Sequence, residues 1–420
     1  MHFFRRPREC GSRRIRYLVL ATNLAVTLAL SGIASATVPE PFQRFDPSSE
    51  NTIDFRVLTK WLKTTVMDIG RSDRMSARNS ASLGTRIAPS ISTKTTFEGN
   101  RFFYENFVGN EKAKQVLKGI RENLERIPNE LALEHFNRDQ QLAYWLNLYN
   151  ITILNEIVAV YPKRDLEDLL VGENSILSKK LLTVSGIPLS LNDIQYSILK
   201  ENYDNNPLIL YGLYQGIIGG PNIRPFAFSG STVYRALTNN AIEFVNSNRG
   251  VNRDPSMNNV HKVSSLYARN SDYFADFNSD LYKHLLMYLE GDVRDDFISA
   301  KTLSPVIDNW SVTDLFGTFP EVRTSAATNP AALLGALVST VPGDPTLGGG
   351  VMGATVSGVS SAYLSKVMGL QKISPQAFKH LIMINSKWAK TNRKKGLVTM
   401  EELGEFPVDP EAEQKIKNNN

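Results

Sequence analysis

The sequence predicts an α+β fold, predominantly helical, with a small antiparallel sheet or hairpins around a buried central helix. Three observations carry this. Residues 138–161 hold an apolar pattern of helical period that continues almost all the way round the helix. Leu182–Leu189 reads as a short hairpin. Several shorter stretches with one apolar face surround these two features, which suits helices packed on a small sheet.

Taken in chain order, Phe42–Pro47 reads as a loop. Ile53–Met67 follows as a helix, with Phe55, Leu58, Trp61, Leu62 and Val66 at helical spacing. Arg71–Thr96 is rich in Ser, Arg, Thr and Gly and reads as an exposed loop. Phe102–Ile127 is helical and broken near Gly109-Asn110. In the central stretch, Leu142, Trp145, Leu146, Tyr149, Ile153, Ile157 and Val160 share one face. Leu148, Ile151, Leu154 and Val158 extend the apolar surface to the other side, so the helix is buried, and Pro162 stops it.

The hairpin turns at Ser185-Gly186, and Ser190 is placed to cap a helix over Leu191–Glu201, with Asp193 near its positive end. An apolar strand precedes the glycines of residues 212–220. Ser231–Val245 is an amphipathic helix, Val260–Leu266 is strand-like, and Tyr273–Tyr288 is helical. Beyond Leu303 the character changes: Asn309–Gly317 is a compact aromatic segment, Ala331–Val341 a short apolar helix, and Pro375–Lys395 a helix with a basic end. The expected organisation is a signal peptide over 1–36, an N-terminal helical region over 37–135 with its loop at 71–96, and a core over 136–300. A C-terminal helical extension over 301–410 and a disordered tail over 411–420 complete it.

The leader sets the expected compartment. Six arginines precede an uncharged run from Tyr17 to Leu30, and Ala34-Ser35-Ala36 is a small-x-small cleavage pattern. Export with cleavage before Thr37 is expected, to a periplasmic or extracellular location; an uncleaved anchor over Tyr17–Ala36 is the rival reading. The net charge of +5 also comes from this segment. It carries 6 of the 47 Lys+Arg and 1 of the 42 Asp+Glu, leaving 41 of each and no net charge. Nucleic-acid binding therefore lacks its simplest support. The one cysteine, Cys10, also lies in the leader, so the remaining chain has neither disulfide nor thiol.

A set of short motifs runs in order through the core: Leu142-Ala-Tyr-Trp-Leu-Asn-Leu-Tyr-Asn150, Tyr161-Pro162, Leu189-Ser-Leu-Asn-Asp-Ile194, Gly219-Gly-Pro-Asn-Ile-Arg224 and Lys262-Val-Ser-Ser265. Together, over about Phe136–Leu289, they resemble the domain of unknown function 547 family, and Trp-x-Asn-x-Tyr-Asn is the most specific part. That family is similar to the broad thiol-dependent papain and transglutaminase group, so the resemblance implies a Cys–His pair. This chain departs from it. Where the family shows His-Phe-x-x-x-Cys-x-x-x-x-Cys-Pro, Leu210 stands at the His, Gln215 at the first Cys and Gly220 at the second. Where it shows Glu-His, this chain has Gln195-Tyr196. A leucine accepts no proton and an amide is neither a useful base nor a nucleophile. The site is degenerate, and no catalytic residue is expected in it.

The ligand-binding candidates are Asn147, Tyr149, Asn150, Gln215, Gly219, Gly220 and Arg224. Asn147 and Asn150 either tie loop backbone to the helix or line the relic of a pocket; buried amides commonly do the first. The loop Gln215–Pro221 is expected near the N-terminal half of the central helix, forming a neutral cleft. Its glycines could cradle an anion, but they match neither the P-loop nor the dinucleotide pattern, and a tight turn is favoured. His2, His135, His261, His284 and His380 make no close ligand pair, so no metal and no cofactor is expected. Small residues four apart, at Gly350, Ala354, Gly358 and Ala362, would suit a membrane helix, but the stretch is weakly hydrophobic and a soluble reading is favoured.

The expected function is that of a non-catalytic binding or scaffold protein of the cell envelope, its partner an envelope protein or small ligand. A hydrolase with an unrecognised constellation is one alternative, since a Ser-His-Asp set need not be close in sequence. A membrane-associating protein using the Gly-rich segment is the other.

Overall fold

A helix that is apolar on every side can persist in water only if other elements enclose it, and this chain is organised around one. The structure is a computed structural model that describes residues 38–74 and 94–315, apart from 255 and 258, with Gly317 and two short strands at 323–324 and 370–372. The expected leader, most of the 71–96 loop, the helices at 331–341 and 375–395, the Gly-rich segment and the tail lie outside the described residues.

Helix α1 (Arg56–Thr65) is shorter than the predicted 53–67. Its last predicted residues form β1 (Val66–Met67), antiparallel to β2 (Arg101–Phe102). The helix predicted from Phe102 therefore begins later. Residues Tyr104–Phe107 make a 3-10 turn, Gly109 adopts φ +69°, and Asn110 caps α2 (Glu111–Glu130) by accepting from Ala113 N at 3.1 Å. The break at Gly109-Asn110 is where the sequence placed it.

The central helix α3 (Arg138–Val160) starts at Asn137, whose side chain accepts from Gln140 N at 3.0 Å. Every residue from Gln140 to Leu154 is buried. Phe42, in the 3-10 turn Glu40–Phe42, meets the Trp145 ring edge-on at 5.0 Å. A short α4 (Glu167–Leu170) leads to the hairpin of β3 (Leu182–Val184) and β4 (Ile187–Leu189). Ser185 (φ +50°) and Gly186 (φ +76°) both take the left-handed conformation that a two-residue hairpin loop requires. Ser190 and Asp193 then cap each other: Ser190 Oγ accepts from Asp193 N at 3.1 Å, and Asp193 Oδ2 accepts from Ser190 N at 2.5 Å. The helix they start is wound wide, as a π-helix over Asp193–Lys200.

The predicted strand before the glycines is instead a 3-10 helix, Pro207–Gly212. Asn206 accepts from Leu208 N at 3.0 Å, and Pro207 stands at the first position with its φ already set for a helical turn. Next come α5 (Val233–Val245), β5 (Val251–Arg253), β6 (Val260–Ser264), α6 (Ser265–Arg269), α7 (Phe277–Tyr288), α8 (Gly291–Phe297) and β7 (Thr302–Ile307). The sheet has the order β5-β6-β7. Its first pair is antiparallel and its second parallel, so one pairing departs from the antiparallel expectation. The crossover through α6–α8 supplies the length that a parallel return needs. Strands β8 (Arg323–Thr324) and β9 (Leu370–Lys372) pair separately. One hydrophobic cluster extends from Phe42 to Val312. Among the described residues no helix is long and apolar enough to cross a membrane.

Candidate functional site

The two asparagines of α3 act as backbone clamps. Asn147 donates from Nδ2 to Phe228 O and accepts at Oδ1 from Phe228 N, both at 2.9 Å. Asn150 donates to Gly212 O and accepts from Tyr214 N, again at 2.9 Å each. An amide carries its donor and its acceptor on separate atoms side by side, so it can serve a carbonyl and an N–H of the same backbone stretch at once. Between them, Asn147 and Asn150 fasten the chain on either side of the glycine loop to the central helix. Tyr149 lies beside them in the sequence but faces elsewhere. Its hydroxyl is buried with no hydrogen-bond partner among the described residues, and burial pushes its ionisation well above the ordinary phenol range.

The glycine loop is shaped by contact. Gly216 has φ +76°, and a Cβ there would stand 2.0 Å from Ile157 Cδ1. The loop thus meets the C-terminal half of α3, not the N-terminal half expected from the sequence. The reason is the asparagine clamps, which hold residues 212–214 beside Asn150 and send the following loop towards Ile157. At Gly219 a Cβ would lie 2.6 Å from Asn309 N. The loop amides are spent: Ile218 N donates to Ser311 O, Gly219 N to Asn309 O and Gly220 N to Ile217 O. They are not directed at an anion, so the tight turn is the better description. The Gly220 carbonyl accepts from Arg249 Nη1 at 2.9 Å, and Arg249 is ion-paired with buried Glu243. Leu210 is buried in the core.

Gln215 is buried, and its Oε1 accepts from Arg269 Nη2 at 3.3 Å. Arg269 also donates to Ser265 Oγ at 2.6 Å and lies over the Trp310 ring at 4.6 Å. The next residue, Asn270, accepts at a single Oδ1 from Gln195 Nε2 (2.5 Å) and from the Tyr196 hydroxyl (3.0 Å). The Tyr273 hydroxyl donates to Gln195 O at 3.1 Å. The consecutive pair Arg269-Asn270 therefore joins Gln195, Tyr196 and Gln215, the positions where the resemblance implied a Glu, a His and a Cys. Burial lowers the Arg269 pKa, opposed by Asp308 and Tyr196. Burial raises that of Tyr196, with Asp272 adding to the rise and Arg269 opposing it.

Arg224 stands apart from this cluster. Its guanidinium lies 5.3 Å from the Phe228 ring centroid, and burial lowers its pKa against the pull of Asp68. Sequence reading missed Arg269, Asn270 and Trp310. Arg269 and Asn270 follow Lys262–Ser265 closely, but no spacing rule links them to Gln215. Among the described residues no group of three or more His, Cys, Asp or Glu is placed to hold a metal ion.

Three amides, two phenols and a guanidinium offer donors and acceptors in fixed positions and no ready nucleophile. The arrangement is that of an α+β domain with a polar site, carrying one guanidinium, beside a buried helix. Residues 133–245 match the family described as "Protein of unknown function, DUF547", which supports the family resemblance for that stretch of the chain. The match starts three residues before the predicted Phe136 and ends at the last residue of α5, short of Leu289. It contains all seven candidate residues but not Arg269, Asn270 or Trp310. No curated protein and no solved structure matches the chain.

Proposed function

We propose that this chain is an exported, non-catalytic binding protein in which the family site has become a recognition surface. One observation supports this most: two consecutive residues bond all three positions, Asn270 accepting from Gln195 and Tyr196 and Arg269 donating to Gln215. The cluster keeps the positions of the implied catalytic groups and replaces their chemistry with neutral polarity. Tyr196, Arg269 and Trp310 are half-buried, so the cluster reaches the surface at these three side chains. The export reading rests on the leader pattern of residues 1–36.

The test is a hydrolase and transferase screen of the purified exported protein, beside Gln215→Ala and Tyr196→Phe. The expected result is no turnover attributable to the cluster. Turnover that falls at least about a hundredfold in Gln215→Ala, the scale of a lost general acid or base, would refute the reading. Mass spectrometry of the exported chain should find Thr37 at its start, and an intact leader on a membrane-bound product would remove the export reading.

A further inference from the structure

Away from the signature residues, a cavity of about 410 Å³ opens beside β5 and β6. Two valines and five ionisable residues line it: Arg74, Arg253, His261, Asp292 and Asp296. We propose that this cavity binds a small zwitterion of the α-amino-acid class, its carboxylate received by Arg74 and its ammonium by Asp292.

The arginine is fixed but not neutralised. Arg74 Nη1 donates to Asn246 O, and Nη2 donates to Val251 O and Asn252 Oδ1, each at 2.9 Å. All three acceptors are neutral, and among the described residues no carboxylate lies within ion-pairing distance of this guanidinium; Glu98 and Asp296 act on it only from further away. The backbone at Arg74 has φ +55°, a conformation that a residue with a Cβ adopts at a cost. The side chain is thus held in place with its positive charge unmatched.

The acidic groups divide in a complementary way. Asp296 is already engaged twice, by Arg253 Nη1 and by His261 Nε2, each at 3.1 Å. Asp292 stands four residues earlier on α8, on the same helical face, and has no cationic partner among the described residues. The cavity therefore carries one unmatched cation and one unmatched anion. A simple anion would leave Asp292 unmatched, and a simple cation would leave Arg74 unmatched. A zwitterion offsets both without changing the net charge. The volume lies near the small end of the roughly 300–1,000 Å³ typical of small-molecule sites, which restricts the ligand to modest size.

The full chain should be titrated calorimetrically with each of the twenty L-α-amino acids, and with propionate and ethylamine as single-charge controls. At least one amino acid should bind saturably with a Kd below about 1 mM, with the controls at least about tenfold weaker. Arg74→Gln and Asp292→Asn should each weaken binding by about tenfold or more. Arg74 also braces β5, so its variant could lose binding through misfolding. Asp292 is exposed and its side chain makes no hydrogen bond or ion pair among the described residues, so Asp292→Asn should retain the parent Tm and still lose affinity. No binding of any amino acid at about 10 mM, equal binding of propionate, or full affinity in Asp292→Asn would each overturn the proposal.

Discussion

The signature region and the sheet region handle polarity in opposite ways. Around α3 most of the polar side chains are buried amides turned inward, with the charges of Arg269 and of the Arg249–Glu243 pair at the loop they hold. Asn147 and Asn150 use both ends of their amides on backbone, and Gln195 and Gln215 are held by Asn270 and Arg269. Around β5–β7 several polar side chains are charged and reach the solvent, as in the Arg253–Asp296 pair, although His261 is buried. Buried polarity must be satisfied because water cannot replace a lost partner, whereas exposed charge is screened and its pairing adds little. The first region is therefore held rigid by its polar groups, and the second can leave charges unmatched at small cost.

The largest expected effect tests how completely α3 is enclosed. Trp145 is fully buried, so Trp145→Ala should destabilise the fold by about 3–5 kcal/mol in denaturant melting. A loss below about 1 kcal/mol would mean that the helix lies at the surface. The contrast itself is tested by a pair of variants. Asn150→Ala strands Gly212 O and Tyr214 N in the interior and should cost about 2–4 kcal/mol, while Arg253→Ala should cost less than about 1 kcal/mol. Similar losses in the two would dissolve the distinction.

His284 links the two regions, since it lies on α7 and its Nε2 meets the Tyr211 hydroxyl at 2.9 Å. Burial lowers its pKa from 6.5 to about 4. The folded state therefore binds a proton less readily than the unfolded chain. The stability tied to this group is complete above pH 6.5 and is lost as pH falls towards about 4, a loss of about 3 kcal/mol. Urea melts between pH 7 and pH 4 should show this slope, and His284→Gln should flatten it. An unchanged slope in that variant would assign the acid sensitivity to other groups.

A subtler comparison concerns what remains of the family site. In a Cys10→Ser, Gln215→Cys variant the new thiol would stand beside Arg269, and its pKa should fall below the ordinary value of about 8.5. The pH dependence of alkylation reads this directly, and a pKa at or above that value would mean that Arg269 no longer serves this position. Smallest of all should be Tyr149→Phe. Its buried hydroxyl has no partner among the described residues, so removal should change stability by less than about 1 kcal/mol or raise it slightly. A larger loss would show that the hydroxyl holds a bound water or ligand atom.

Local features were legible in the sequence. The Ser185-Gly186 turn, the Ser190 cap and the break at Gly109-Asn110 each depend on residues within a few positions of one another. The extent of α3 was legible because burial on all sides leaves an unbroken apolar pattern. The strand predicted before the glycines failed because a short apolar run has no period of its own, and Asn206-Pro207 turned it into a 3-10 helix. Strand β7 was not anticipated because its partner, β6, comes from a separate part of the chain.

The sequence by itself determined the buried helix, the confinement of cysteine to Cys10 and the replacement of the implied His and Cys positions by Leu210, Gln215 and Gly220. These are matters of residue type and short-range spacing. Only the tertiary structure decided that Gln195 and Tyr196 meet Asn270 across 75 and 74 residues, that Gln215 meets Arg269 across 54, and that Arg74 reaches the backbone of β5 from 177 residues away. Contacts at such separations depend on how the whole chain closes around α3, and no local pattern encodes that closure.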